Sequence, residues 1–248
     1  LDPYATESTE VFFGPGSVIY GSDAIGGVMS FQTLVPQFSL SDKKPSITGK
    51  SEARHSSADN EMTGHFDVNI GWKKWALVTS FSSFDYSHLR QGTHGSDDYL
   101  KPYYVQRQDG VDRIIAQDDP QLQIPSAYSQ KNFMQKVRFK PGERWDLKFG
   151  FHYSATSSYG RYDRHNRLRN GLPRYAEGNY GPQKWMMNNL SITHSRENFL
   201  YDEMTVRLAL QNFEESRISR SLNSPEKNIR IEEVGAYSAN LDFVKSSD

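Results

Sequence analysis

Apolar and polar residues alternate with a period of two over much of this chain. Between 145 and 156, Trp145, Leu147, Phe149, Phe151, Tyr153 and Ala155 fall on one side of an extended segment, and Asp146, Lys148, Gly150, His152, Ser154 and Thr156 on the other. Successive side chains of a strand point to opposite faces, so this pattern predicts a strand with one greasy and one wet face. The same reading applies to Phe66, Val68, Ile70 and Trp72, to Met204, Val206, Leu208 and Leu210, and to Tyr237, Ala239, Leu241 and Phe243. Weaker versions run through 47–58, 75–86, 130–140 and 184–195. About eight strands are predicted, and no long stretch carries helical periodicity.

The connections alternate too. Short turns are expected at 59–60, 73–74, 141–143 and 196–198, and long loops at 87–129, 157–182 and 217–228. Small turns at one end and long loops at the other describe an antiparallel up-and-down transmembrane β-barrel, with the loops outside the cell. Trp72, Trp75, Trp145 and Trp185 fall at or near predicted strand ends, where an amphipathic ring suits the headgroup boundary. His65, His152 and His194 are expected on inward, polar positions.

A glycine-rich run precedes the strands. It contains Gly14, Pro15, Tyr20, Gly21, Ser22, Ala24, Gly26 and Gly27 among short apolar pieces. No third glycine completes a dinucleotide fingerprint, no Gly-Lys-Ser/Thr follows, and Pro15 removes a backbone donor that a phosphate cradle would use. The pattern Glu-Val-x-x-Gly-Pro-x-Ser-x-x-Tyr-Gly-Ser-x-Ala-Ile-Gly-Gly-Val, matched from Glu10 to Val28, resembles the last plug segment of TonB-dependent outer-membrane receptors, most of all cobalamin and haem receptors. Phe13, before Gly-Pro, and Met29, Ser30 and Phe31, at the end of the run, depart from the more usual residues of that family.

That resemblance implies an all-β fold: residues 1–36 as the C-terminal end of a plug domain, and 37–248 as the N-terminal part of a barrel of about 22 strands. The chain would then be a fragment that opens inside a domain at Leu1. It further implies a transporter and not an enzyme, sited in the outer membrane of a Gram-negative bacterium and in contact with its lipid. It would import a bulky scarce nutrient (haem, another iron complex such as a ferric siderophore, or cobalamin) and be powered through TonB, ExbB and ExbD. Two other classes stay open on the residues: another outer-membrane barrel, porin or enzyme, and a soluble carbohydrate-binding β-sandwich.

Composition narrows this a little. The 29 basic and 30 acidic residues give a net charge of −1, so no bulk field attracts nucleic acid. There is no cysteine, hence no disulfide framework or thiolate metal site. A mean hydropathy of −0.73 suits a barrel in which only alternate residues meet lipid.

Candidate chemistry lies in the loops. His88 and His94 share the first long loop and are candidates for an axial ligand or docking site there. Asp97, Asp98, Asp109 and Asp112 in that loop are hard oxygen ligands suited to calcium, although they lack the regular calcium-loop spacing. Arg161, Tyr162, Arg164, His165 and Arg167 form a basic, aromatic cluster in the second loop, a combination that suits anionic or planar ligands. No hydrolase or metalloprotease motif is present.

Overall fold

A computed structural model of the chain describes residues 2–246. Leu1, Ser247 and Asp248, which the expected domain limits include, lie outside the described residues. The chain is all-β. A first hairpin joins β1 (Thr6–Phe13) to β2 (Gly27–Thr33), with one turn of helix, α1 (Ser17–Tyr20), at its tip. Next come β3 (Ser46–Ser56), β4 (Glu61–Gly71) and β5 (Trp75–Tyr86), then a second small hairpin of β6 (Tyr103–Gln108) and β7 (Val111–Ala116). They are followed by β8 (Tyr128–Gly142) and β9 (Trp145–Thr156). After the short pieces β10 (Tyr159–Gly160), α2 (Tyr162–His165), β11 (Leu168–Arg169) and β12 (Leu172–Pro173), three long strands close the order: β13 (Tyr175–Ser195), β14 (Glu203–Ser221) and β15 (Asn228–Val244).

The main sheet is antiparallel throughout, in the order β3-β4-β5-β8-β9-β13-β14-β15. Its outermost strands, β3 and β15, do not pair with each other, so the sheet is open and no closed barrel is found among the described residues. Residues 2–36, expected to end a plug domain, supply one two-stranded hairpin and its flanks. That is a small sheet element and not a plug.

Cross-strand register shows what the alternation does. One row of laterally paired residues reads Ile47, Ile70, Leu77, Val137, Phe149, Leu190, Leu208 and Ala239, apolar on every strand. The row one residue away reads Thr48, Asn69, Val78, Lys136, Gly150, Asn189, Ala209 and Ser238. Since neighbouring rows point to opposite faces, one face of the sheet is greasy and the other largely polar.

The polar face is the covered one. Ser80, Ser82, His65, Asn69, Asn132 and His152 are all buried there, whereas Phe66, Trp75, Phe149, Tyr153, Leu208, Tyr237 and Leu241 on the other face are exposed. The covering comes from the N-terminal segment. Ser82 Oγ donates to Asp2 Oδ2 at 2.7 Å and lies 2.8 Å from His65 Nδ1, whose Nε2 is 3.0 Å from Asp67 Oδ2. Tyr4 stacks on His65 at 4.9 Å, and Ala5, Val78, Met134 and Leu34 form a small apolar knot. Lys136 Nζ donates to Thr33 Oγ1, Thr33 O and Leu34 O at 2.5, 3.2 and 2.8 Å. Gln37 and Asn69 exchange two hydrogen bonds of 2.8 and 3.0 Å. A Ser-His-Asp sequence of hydrogen bonds thus exists at Ser82, His65 and Asp67, but Ser82 is wholly buried under Asp2 and serves to hold the segment.

Several expectations shift. His65 and His152 lie on the polar, buried face, but His194 pairs with Trp145 and Met204 in the register of the apolar face and contacts Tyr201 Oη at 3.0 Å. Trp72, Trp75 and Trp145 sit exposed at the short-turn end, whereas Trp185 lies inside β13 and donates to Gln211 Oε1 at 3.2 Å. β13 already begins at Tyr175 and β14 runs to Ser221, so strands occupy much of what was expected as loop at 157–182 and 217–228.

Candidate functional site

The two long connections meet over the polar face at one end of β8, β9 and β13. Between them lies a cleft of about 550 Å³, lined by Leu89, Lys101, Gln123, Tyr128, Gln130, Tyr159, Tyr162 and His165, among others. That volume is in the usual range for small-molecule sites.

Strand register sets a row of tyrosines at this end of the sheet, of which Tyr128 and Tyr159 line the cleft. Tyr86 and Tyr128 are paired across β5 and β8, and Tyr159 and Tyr180 across β10 and β13. Ring follows ring: Tyr86 to Tyr128 at 4.6 Å, Tyr128 to Tyr159 at 5.6 Å, Tyr159 to Tyr180 at 6.2 Å. Tyr162 and His165 enter from α2, with His165 Nε2 3.2 Å from Asn179 Oδ1 and Tyr162 half exposed.

The opposite wall carries Lys101. Its amide donates to the Pro120 carbonyl at 2.6 Å, fixing the base of the β6–β7 hairpin, and its ammonium donates to His165 O at 2.9 Å and Asn166 Oδ1 at 2.8 Å. It lies 5.3 Å from the Tyr103 ring and is buried. Burial pulls its pKa down to about 8. Burial likewise lowers the pKa of His165, the first of several causes there. Sequence reading passed over Lys101 because its partners lie far along the chain, in the other connection.

The residues singled out from sequence divide. Tyr162 and His165 line the cleft. Arg161 is chelated by Asp163 through Nε and Nη2 at 3.0 and 2.8 Å and lies over Tyr180. Arg164 donates to Tyr175 Oη at 2.6 Å and stacks on the same ring. Arg167 and His94 are exposed. His88 is internal to its loop: Nδ1 accepts from the amides of Ser126 and Ala127, each at 3.1 Å, and burial lowers its pKa.

The acidic residues do not converge. Asp97 and Asp98 start a 3₁₀ turn capped by Ser96, and Asp109 forms the β6–β7 turn with Gly110, both at the positive φ that a two-residue hairpin requires. Asp112 is buried against Arg220, accepting from Nη1 and Nη2 at 2.6 and 2.8 Å, and also from the Asn223 amide at 2.7 Å. Among the described residues, no group of three or more His, Cys, Asp or Glu side chains is arranged to hold a metal ion.

Arg220 also donates to Glu177 at 2.7 Å, so this fork ties the hairpin to β13 and β14. Its guanidinium holds the Asp112 carboxyl below the ordinary carboxylate range. The stabilisation is therefore present above that range and lost as pH falls through the lowered value. Arg220→Lys keeps the charge but loses the bidentate geometry, and is expected to weaken hairpin docking by about 1 to 2 kcal/mol. Faster amide hydrogen exchange over 103–116, with β8 and β9 unchanged, is the expected readout.

No protein-family model matches the chain, and no curated protein matches it. Four solved chains do match. One of them, Copper transporter OprC, aligns with 98% of this chain at a TM-score of 0.61 and 12% sequence identity. The chain spans 32% of OprC's length. At that identity the likeness shows a shared fold: the open antiparallel sheet described above is also a part of a transporter's architecture. The resemblance of residues 10–28 to the plug of cobalamin and haem receptors is not upheld, because those residues build a hairpin with a helical turn at its tip, no family model supports the assignment, and the structural match named above bears a copper transporter's name.

Proposed function

We propose that this chain forms a stretch of the wall of an outer-membrane transporter in a Gram-negative bacterium, which takes up a solute with energy delivered through TonB, ExbB and ExbD. The observation that carries this reading is the inverted sheet: an uncovered row of eight apolar residues beside a row that is largely polar and is covered on its middle strands. A soluble sandwich buries its greasy face against a second layer, whereas a membrane wall turns it to lipid. The likeness to OprC supports the same reading at the level of fold. Copper belongs to OprC's name and is not carried over, and the open apolar face by itself does not separate a transporter from a porin or a barrel enzyme.

The test is localisation followed by uptake. The full chain, expressed in a Gram-negative host, is expected to fractionate with the outer membrane and to resist alkaline carbonate extraction. Import of solute by the whole transporter to which this wall would belong is expected to stop when the proton gradient is collapsed. Recovery from the aqueous phase without detergent would remove the membrane reading, and uptake indifferent to the gradient would leave a passive pore.

A further inference from the structure

Lys101 is a buried cation without a counter-ion. Among the described residues it takes part in none of the salt bridges, and its hydrogen-bond acceptors, His165 O and Asn166 Oδ1, are neutral. A buried ammonium is costly unless a negative charge faces it, and nothing in the described protein supplies one here. Lys101 borders the cleft, so the missing charge can come from a molecule lying in it.

Two further features define that molecule. Tyr128, Tyr159 and Tyr162 all line the same cleft, an aromatic lining that favours a flat body. Gln123, also on the lining, spends its Nε2 on the Tyr99 carbonyl at 2.8 Å, while its Oε1 is buried and has no hydrogen-bond partner. That oxygen awaits a donor. The nearby arginines Arg161 and Arg164 are committed to Asp163 and Tyr175, so the cleft provides for one negative charge and not for a phosphate dianion.

We propose that the cleft binds a small planar monoanion, an aromatic carboxylate carrying one N–H or O–H donor, with Lys101 as its counter-ion and Gln123 as the acceptor. This deepens the transport reading by naming the class of molecule that the outer cleft selects.

Indole-3-acetate supplies ring, donor and charge; indole-3-acetamide lacks the charge, and 1-naphthylacetate lacks the donor. Calorimetry on the full chain in outer-membrane vesicles is expected to show indole-3-acetate binding at least about tenfold tighter than the amide, a difference of about 1.4 kcal/mol. Lys101→Met is expected to erase that preference while the amide still binds, and Gln123→Leu to erase the preference for indole-3-acetate over 1-naphthylacetate. Equal binding of acid and amide by the unmodified protein overturns the proposal, and decides the matter even if Lys101→Met fails to assemble. So does a Lys101→Met protein that keeps the acid preference. Failure of the transport reading looks different: acid-selective binding without any gradient-driven uptake removes the transporter and leaves the cleft's selectivity standing.

Discussion

Phe149→Lys is expected to abolish stable membrane assembly. Phe149 is exposed in the middle of the eight-strand apolar row, flanked by Val137 and Leu190. A lysine facing lipid near the midplane costs about 2 to 4 kcal/mol, falling towards zero at the interfaces. The lost phenyl group adds to this. Ser238→Lys is the matched control, because Ser238 stands on the polar row and its register partner is Ala209. Heat-resistant, folded protein in the outer-membrane fraction is the measurement. Near-complete loss with Phe149→Lys and near-normal recovery with Ser238→Lys are expected. Equal recovery of the two would mean that the apolar face does not meet lipid.

Lys136→Met is expected to free the N-terminal segment from the sheet. Lys136 is the central donor of that contact, spending its ammonium on Thr33 and Leu34. Methionine fills similar space, yet leaves those acceptors without a donor over a buried surface. Each orphaned acceptor costs about 1 to 3 kcal/mol, partly offset by no longer burying a lone ammonium. A net loss of about 3 kcal/mol is expected, which converts to more than a hundredfold rise in the open population. Limited proteolysis and hydrogen exchange between 30 and 40 report it. Unchanged protection there would show that the Asp2, Tyr4 and Gln37 contacts suffice alone.

How far the sequence foretold this molecule depends on how local each signal is. Strand β9 was fully legible, since Trp145 to Thr156 alternates without interruption and the structure's strand has those bounds. The β6–β7 hairpin was not foreseen, although Asp109-Gly110 between Tyr103–Gln108 and Val111–Ala116 is a hairpin signal. A long loop was expected there, and that expectation absorbed it. His194 was assigned inward by its polarity, but counting by twos from Ile192 places it on the apolar side, where the short-turn end lets an imidazole reach Tyr201. At the cleft, Tyr162 and His165 were visible as part of an aromatic, basic cluster. Lys101 was not, because its setting is made by residues such as His165 and Asn166 that only the fold brings near. The arginines that looked most like ligand contacts turned out to be held by their own neighbours.

In the membrane wall proposed above, strands β13 and β14 would be far longer than a bilayer needs: about 9 to 11 residues cross it, whereas these run for 21 and 19. At about 3.3 Å per residue and a tilt of about 45°, strands of that length climb roughly 44 to 49 Å, well past the hydrocarbon core of about 30 Å. The cell would then present a stiff one-sided parapet to its surroundings. A phage fibre or an antibody arriving from outside would touch that parapet before it came near the lipid.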